Sequence, residues 1–308
     1  MIVADLSSAQ LRKRLAGHGL RLRTGPVVAN IVANIEAVAA GIALHYATHA
    51  VESFDAFADF HVTLRRGRGV RRFLRPQVFF AYEQFQAFKP LPADQAFPML
   101  EWGLNWCVAN RCHWYLVIHA AVVERSGRAA ILPAPSGSGK STLCAALVNR
   151  GWRLLSDELA LLDPRTGRLA ALARPISLKN ESIAIIREFV DDAVFSPVVR
   201  DTTKGDVAHL RPPATSVAAV GESAQPAWVI LPRYSKDAEP QLRPLPKARA
   251  FMHLVEQAFN YNVLARAGFD CLAALVNRCE CHEFEYDKLD DAIAVFDRLA
   301  DEPGYVSL

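Results

Sequence analysis

One stretch limits what this chain can fold into more than any other: Ala-Ala-Ile-Leu-Pro-Ala-Pro-Ser-Gly-Ser-Gly-Lys-Ser-Thr-Leu-Cys-Ala-Ala-Leu-Val-Asn, residues 129–149. The apolar run 129–132 reads as a buried strand, residues 134–140 as a sharp loop, and Ser141 onward as a helix with Leu143, Ala146 and Leu147 at helical spacing. Strand, glycine-bearing loop, Lys-Ser and helix together make a phosphate-binding loop. Gly137 and Gly139 allow backbone N–H groups to approach phosphate without an intervening Cβ, and the helix N-terminus adds partial positive charge. Pro135, Ser136, Gly137, Ser138, Gly139, Lys140, Ser141 and Thr142 are the candidate nucleotide-binding residues. Lys140 is placed to meet the β- and γ-phosphates and Ser141 to ligate Mg²⁺ through its hydroxyl. Ala134 stands where such loops usually carry their first glycine. An ordinary glycine-serine turn is the bland alternative. The flanking strand and helix and the intact Ser-Gly-Ser-Gly-Lys-Ser-Thr core argue against it.

The chain's 308 residues suffice for two domains or one elaborated domain. Hydrophobic residues at 51% against 22% charged describe a globular protein with a real core. A formal charge of +3 is too weak to imply nucleic acid as a partner. No apolar run approaches the ~20 residues of a membrane span, and the first residues lack the order of a signal peptide. Cysteines 107, 112, 144, 271, 279 and 281 show no zinc-ribbon spacing; Cys279-Glu-Cys281-His282 comes closest, and buried thiols explain it better than a metal. A reduced, cytoplasmic protein is expected, with homo-oligomers left open.

Before the loop, residues 1–18 read as a helix with little to anchor it. Residues 19–24 and 27–33 form a strand pair across Gly25-Pro26, and 35–46 a helix. Strands are expected at 60–64 and 77–82. Between them Arg65, Arg66, Arg68, Arg71, Arg72 and Arg75 form either an anion patch or, more simply, a solvated hairpin edge. Pro90-Leu-Pro marks a break, which divides the chain into an N-terminal α+β region, 1–92, and a catalytic domain, 93–308. Asp94 is the expected cap of a helix carrying Phe97, Leu100, Glu101, Leu104, Asn105 and Val108; its Trp102 and Trp106 are core residues or a ligand platform. Residues 115–124 form a strand that returns through Ser126-Gly127 into the loop strand, so His119 lies mid-strand beside the nucleotide site.

After the helix, residues 152–155 form a short strand closing on Ser156-Asp157-Glu158. An acidic pair facing a phosphate loop supplies the second half of a phosphoryl-transfer site: one carboxylate holds Mg²⁺, the other takes the proton of an acceptor hydroxyl. If the strand continued through the pair, the two side chains would point to opposite faces. Beyond it, 159–178 reads as a hairpin. The polar stretch 191–209, with Lys204, Gly205 and His209, reads as a loop, a candidate lid or acceptor site. Residues 227–232 and 241–245 read as paired strands, 248–259 and 267–278 as helices, 281–286 as a strand and 289–299 as a last helix.

The span 119–162 resembles the catalytic domain of bacterial HPr serine kinase/phosphorylase. Its carriers are Ile118-His119-Ala120, the loop from Ala134 to Ser141, and Ser156-Asp157-Glu158. Residues 132–147, 153–162 and 251–260 make the wider chain resemble the HPr-kinase-related kinase A subgroup. This resemblance implies an α/β fold, a P-loop kinase domain of the HPr kinase/phosphoenolpyruvate carboxykinase-like type with a mixed sheet and flanking helices. It also implies Asp157 as the catalytic carboxylate, His119 as its neighbour, and Glu158 as a metal or outer acid. Glu158 replaces the family's second aspartate, and the downstream arginine-glycine signature has no counterpart. Phosphorolysis and HPr itself are therefore not carried over. The expected function is an ATP- and Mg²⁺-dependent kinase acting on a hydroxyl, foremost a serine of a protein or peptide. A small-molecule kinase and an ATP-hydrolysing switch are the alternatives. The chain lacks the Asn-Lys-x-Asp and Leu-Ser-Gly-Gly motifs of familiar switches.

Overall fold

The fold, taken from a computed structural model, is described for residues 1–67, 69, 74–135 and 137–302. Arg68, Arg71 and Arg72 of the basic run and Ser136 of the phosphate loop lie outside the described residues.

Helix α1 (Ser8–Ala16) is better anchored than its sequence suggests. The Ser7 hydroxyl accepts the Gln10 amide at 3.2 Å, the Gln10 side chain answers at the Ser7 amide, and Leu11 and Leu15 are buried. Strands β1 (Leu20–Thr24) and β2 (Val27–Ala33) pair antiparallel as expected. Helix α2 (Glu36–His45) then leads to β3 (Phe60–Arg66), β4 (Gln77–Tyr82) and β5 (Leu91–Pro92), giving a five-stranded sheet in the order β1-β2-β3-β4-β5. Arg65 and Arg66 sit exposed at the end of β3, across from Phe79 and Val78. Helix α3 (Ala96–Arg111) starts one residue later than an Asp94 cap requires. Asp94 falls in a 3-10 turn, and the first-turn amides receive no side-chain cap. Its Phe97, Leu100, Leu104 and Val108 pack into the core of this first sheet, so that core continues past residue 93.

The second sheet begins with the hairpin β6 (Leu116–Arg125) and β7 (Arg128–Pro133). Next come α4 (Lys140–Asn149), β8 (Arg153–Ser156), β9 (Leu159–Leu162), β10 (Leu169–Ala170), β11 (Ile176–Lys179) and α5 (Glu181–Phe189). The segment expected to be a loop forms β12 (Val199–Thr202) and β13 (Gly205–Leu210), which join β11 in a three-stranded sheet. Burial explains the difference: Ala208 and Leu210 share one core with residues of α4 and α5, and polar β12 takes the outer position. Helix α6 (Ala214–Ala218), β14 (Gln225–Tyr234), β15 (Gln241–Pro244), α7 (Lys247–Gln257), α8 (Tyr261–Leu264), α9 (Arg266–Arg278), β16 (Glu280–Tyr286) and α10 (Leu289–Asp301) complete the chain.

The large mixed sheet runs β10-β9-β6-β7-β14-β16-β15, with β8 alongside β6. Strand β15 pairs with β16 and not, as expected, with β14, because β14 is flanked on both sides by the parallel strands β7 and β16. Gln241, Arg243 and Pro244 suit β15 to an outer position, where only Leu242 is buried. Both faces of the sheet are covered. Ala130 and Leu132 of β7 face α4 and α10, while Ala129 and Ile131 face α7 and α9. The N-terminal layer packs on the sheet beside β9, where Leu159 and Leu161 join its core. Gly25, at φ +60°, comes so close to the Ala171 carbonyl that a Cβ would stand 1.9 Å from its oxygen. The arrangement is a mixed α/β fold, and no helix among the described residues is long and apolar enough to cross a membrane. The six cysteines are free and buried.

Three buried histidines sit near the junction of the layers. Burial pushes His45 and His49 down to about 4 and His209 to about 3. Each stays neutral in the fold yet takes a proton when unfolded below about 6.5, so its contribution is intact above that pH and is lost as pH falls toward 4. Both ring nitrogens of His45 lack a hydrogen-bond partner, and its ring stacks on Phe97 at 5.2 Å. Replacing His45 with Leu should therefore leave stability near neutral pH little changed. Acidification below pH 6.5 should then cost the variant about 1.4 kcal/mol less per pH unit than the parent, one proton's worth. Urea unfolding at pH 7, 6 and 5 measures this; parallel parental and variant slopes would show that His45 titrates normally.

Candidate active site

The loop expected to bind phosphate joins the end of β7 to the start of α4 and needs glycine where the chain turns back. Gly137 and Gly139 have φ of +90° and +87°, and Gly139 caps α4. A Cβ on Gly139 would lie 2.9 Å from the Tyr286 hydroxyl, which itself reaches the Gly139 carbonyl at 3.4 Å. The Tyr234 amide donates to the Ser138 carbonyl at 3.2 Å, so the ends of β14 and β16 brace the loop from behind.

Lys140 is the first residue of α4 and is only 7% exposed. Burial lowers its pKa, while Asp157 and Glu158 oppose that shift. His119 on β6 meets it directly: Nε2 lies 3.0 Å from Lys140 Nζ, and Nδ1 lies 3.2 Å from Gln257 Oε1. One tautomer satisfies both contacts. Nδ1–H donates to the Gln257 carbonyl oxygen, and the Nε2 lone pair accepts from the ammonium. Burial and Lys140 together push His119 down to about 4, which keeps that lone pair free. The resemblance placed His119 beside Asp157; its hydrogen-bond partners are Lys140 and Gln257.

The acidic pair lies between β8 and β9, both of which run antiparallel to β6. The chain bends there because the Ser156 hydroxyl accepts the amides of Glu158 at 3.3 Å and Leu159 at 3.0 Å. With that bend, Asp157 and Glu158 border one cavity in place of opposite faces. Asp157 Oδ2 accepts the Ser177 amide at 3.0 Å. Burial raises Asp157 to about 6, against the lowering pull of Lys140 and of the nearby Ser141 hydroxyl. Its Oδ1 is buried without a hydrogen-bond partner. Glu158 accepts a hydrogen bond from Asn105 Nδ2 at 2.6 Å and lies 4.0 Å from Lys204 Nζ. Lys204 in turn sits 5.0 Å from the centre of the Trp102 ring. Of the expected lid residues, Lys204 reaches this site, whereas His209 is buried beneath it.

The cavity measures about 710 Å³ and takes its walls from His119, Lys140, Ser141, Thr142, Asp157, Glu158, Lys179 and Lys204. That volume suits a nucleotide-sized ligand. Pro135, Gly137 and Gly139 border it too, while Ser138 turns its buried hydroxyl away, without a partner. Gln257, Ser177 and Asn105 were not singled out as site residues from sequence. For Asn105 a signal existed: Glu101 and Asn105 stand four residues apart on the apolar stripe of α3, where polar residues need a partner. Cys279 and Cys281 are buried, with burial raising both thiols, and no group of three His, Cys, Asp or Glu side chains placed to hold a metal occurs among the described residues.

No protein-family profile matches the chain, and no curated protein does. Among solved structures, the Hpr(Ser) kinase/phosphatase from Coxiella burnetii is similar across 60% of this chain and 98% of its own, at 14% identity and a TM-score of 0.27. An overlay this loose leaves the chemistry to be read from the site itself.

Replacing Gly139 with Ala tests the loop geometry. A left-handed residue carrying a Cβ costs roughly 1–2 kcal/mol, and the contact with Tyr286 adds to it. The variant should melt a few degrees lower and bind ATP at least tenfold more weakly. Parental affinity in a calorimetric titration would show that the loop does not hold the phosphates.

Proposed function

We propose that this chain is an ATP-dependent kinase that transfers the γ-phosphoryl group to a hydroxyl, with a serine of a protein or peptide as acceptor. The observation that carries the reading is the shared cavity. A phosphate loop with a buried lysine opens on the same space as a buried carboxylate with one unpartnered oxygen. The preference for a seryl acceptor rests on the sequence resemblance of 119–162 alone.

Lys140 and the amides of the loop and first helical turn hold the phosphates, and His119 keeps the ammonium aimed by accepting a hydrogen bond from it. The donor set suits a hard cation: the Ser141 hydroxyl and the Glu158 carboxylate both offer oxygens to the same cavity. Mg²⁺ bound there supplies charge neutralisation at the phosphates. Asp157 takes the proton of the acceptor hydroxyl. Its tie to the Ser177 amide fixes Oδ2, so Oδ1 is the basic atom, and a pKa of about 6 leaves it mostly ionised at neutral pH. Lys179 and Lys204 line the wall near Glu158 and hold positive charge where anionic groups collect.

Three measurements test this. Lys140→Ala should weaken ATP binding by about 10- to 150-fold, the loss of a charge-assisted hydrogen bond. Asp157→Asn should bind ATP like the parent but slow single-turnover transfer about 10²- to 10⁴-fold. Excess chelator should stop transfer altogether. Incubation with γ-labelled ATP and a cell extract then reads the acceptor class. Label on a macromolecule supports the proposal, label on a small molecule replaces the acceptor, and free phosphate alone would show an ATP-hydrolysing switch.

A further inference from the structure

Asn105 belongs to α3, in the core of the N-terminal layer, yet its side chain reaches Glu158, which borders the cavity of the second sheet. Its Nδ2 donates to Glu158 Oε2 at 2.6 Å, and its Oδ1 accepts from Arg174 at 2.6 Å. Only one amide orientation satisfies both neighbours, since a guanidinium only donates and a carboxylate only accepts. Arg174 is itself immobilised. It is 6% exposed and donates to Glu101 Oε2 at 2.8 Å, to the Glu101 carbonyl at 3.0 Å and to the Tyr46 hydroxyl at 3.3 Å. Tyr46, just beyond α2, closes the cluster by donating to Glu101 Oε1 at 2.7 Å. The Asn105 amide therefore cannot rotate without leaving a buried cation or a carboxylate short of a partner. On its far side, Glu158 faces Lys204 at 4.0 Å.

We propose that Asn105 is a positioning residue for Glu158: the Arg174–Glu101–Tyr46 cluster locks Asn105, and Asn105 orients the Glu158 carboxylate as an oxygen donor for the metal that accompanies ATP. The N-terminal layer thereby completes the site. This inference rests on the kinase reading above and adds to it a function for α3. A mere tie between layers would need Asn105 only for stability; a positioning residue also changes how Glu158 serves a metal-bearing nucleotide.

Calorimetric titration of the full chain with the non-hydrolysable analogue adenylyl imidodiphosphate, without and with Mn²⁺, separates these roles. The variants are Asn105→Leu, Glu158→Gln and both together, with Asn105→Ser as the milder replacement should Leu impair folding. Metal-free affinity should agree within about twofold across all of them. The gain in affinity on adding Mn²⁺ should fall about tenfold in Asn105→Leu, the loss of one charge-assisted hydrogen bond. In the Glu158→Gln background Asn105→Leu should cause no further fall, because residues acting as a unit are not additive. An intact Mn²⁺ gain in the Asn105 variants, even with a lowered melting temperature, overturns the inference and leaves only a structural tie. An equal loss in the Glu158→Gln background overturns it too. If the parent binds neither form of the analogue, the kinase reading fails and takes this inference with it.

Discussion

Burial of the Lys140 ammonium, at the first turn of α4, sets the terms for everything around it. A cation removed from water needs lone pairs and opposite charge close by, and the fold supplies both. His119 offers a lone pair from β6, and Asp157 and Glu158 offer charge from the bend after β8. These partners come from strands that lie side by side, so the sheet order is what makes the charge tolerable. Burial still dominates, holding Lys140 and Asp157 each toward its neutral form.

The second constraint is the polar cluster between layers. Arg174 and Glu101 form an ion pair whose side chains are 7% and 5% exposed. Desolvation cancels much of the attraction in such a pair, so its value to the fold is geometric more than energetic. Tyr46, Glu101 and Asn105 come from the N-terminal layer and Arg174 from the segment before β11. A hydrophobic contact tolerates sliding, whereas this set of hydrogen bonds is satisfied in one register only. The His49 contact with the Ala173 carbonyl at 2.8 Å and the close approach of Gly25 to Ala171 hold the same seam.

Much of the fold was legible because its signals are local. The strand pairs about Gly25-Pro26 and Ser126-Gly127, the helix after the phosphate loop and the final amphipathic helix each follow from periodicity and turn chemistry. Sequence reading failed where neighbours decide. Strands β12 and β13 look like a polar loop until Ala208 and Leu210 join the core of α4 and α5. Strand β15 takes the outer side of β16 because β14 already has two partners, a fact that no stretch of residues carries by itself.

The same division holds at the site. The sequence by itself determined the strand, glycine turn and helix that carry the candidate phosphate loop, and the structure gives both loop glycines the positive φ such a turn needs. It also determined that an acidic pair follows the loop helix. Only the tertiary structure decided what those groups face. The Ser156 hydroxyl bends the chain so that both acids reach one cavity. Packing of β6 against α7 pairs His119 with Lys140 and Gln257. Docking of α3 brings Asn105 to Glu158 across 53 residues of chain. Such contacts depend on which surfaces meet, and burial then selects among them by penalising every polar atom left without a partner.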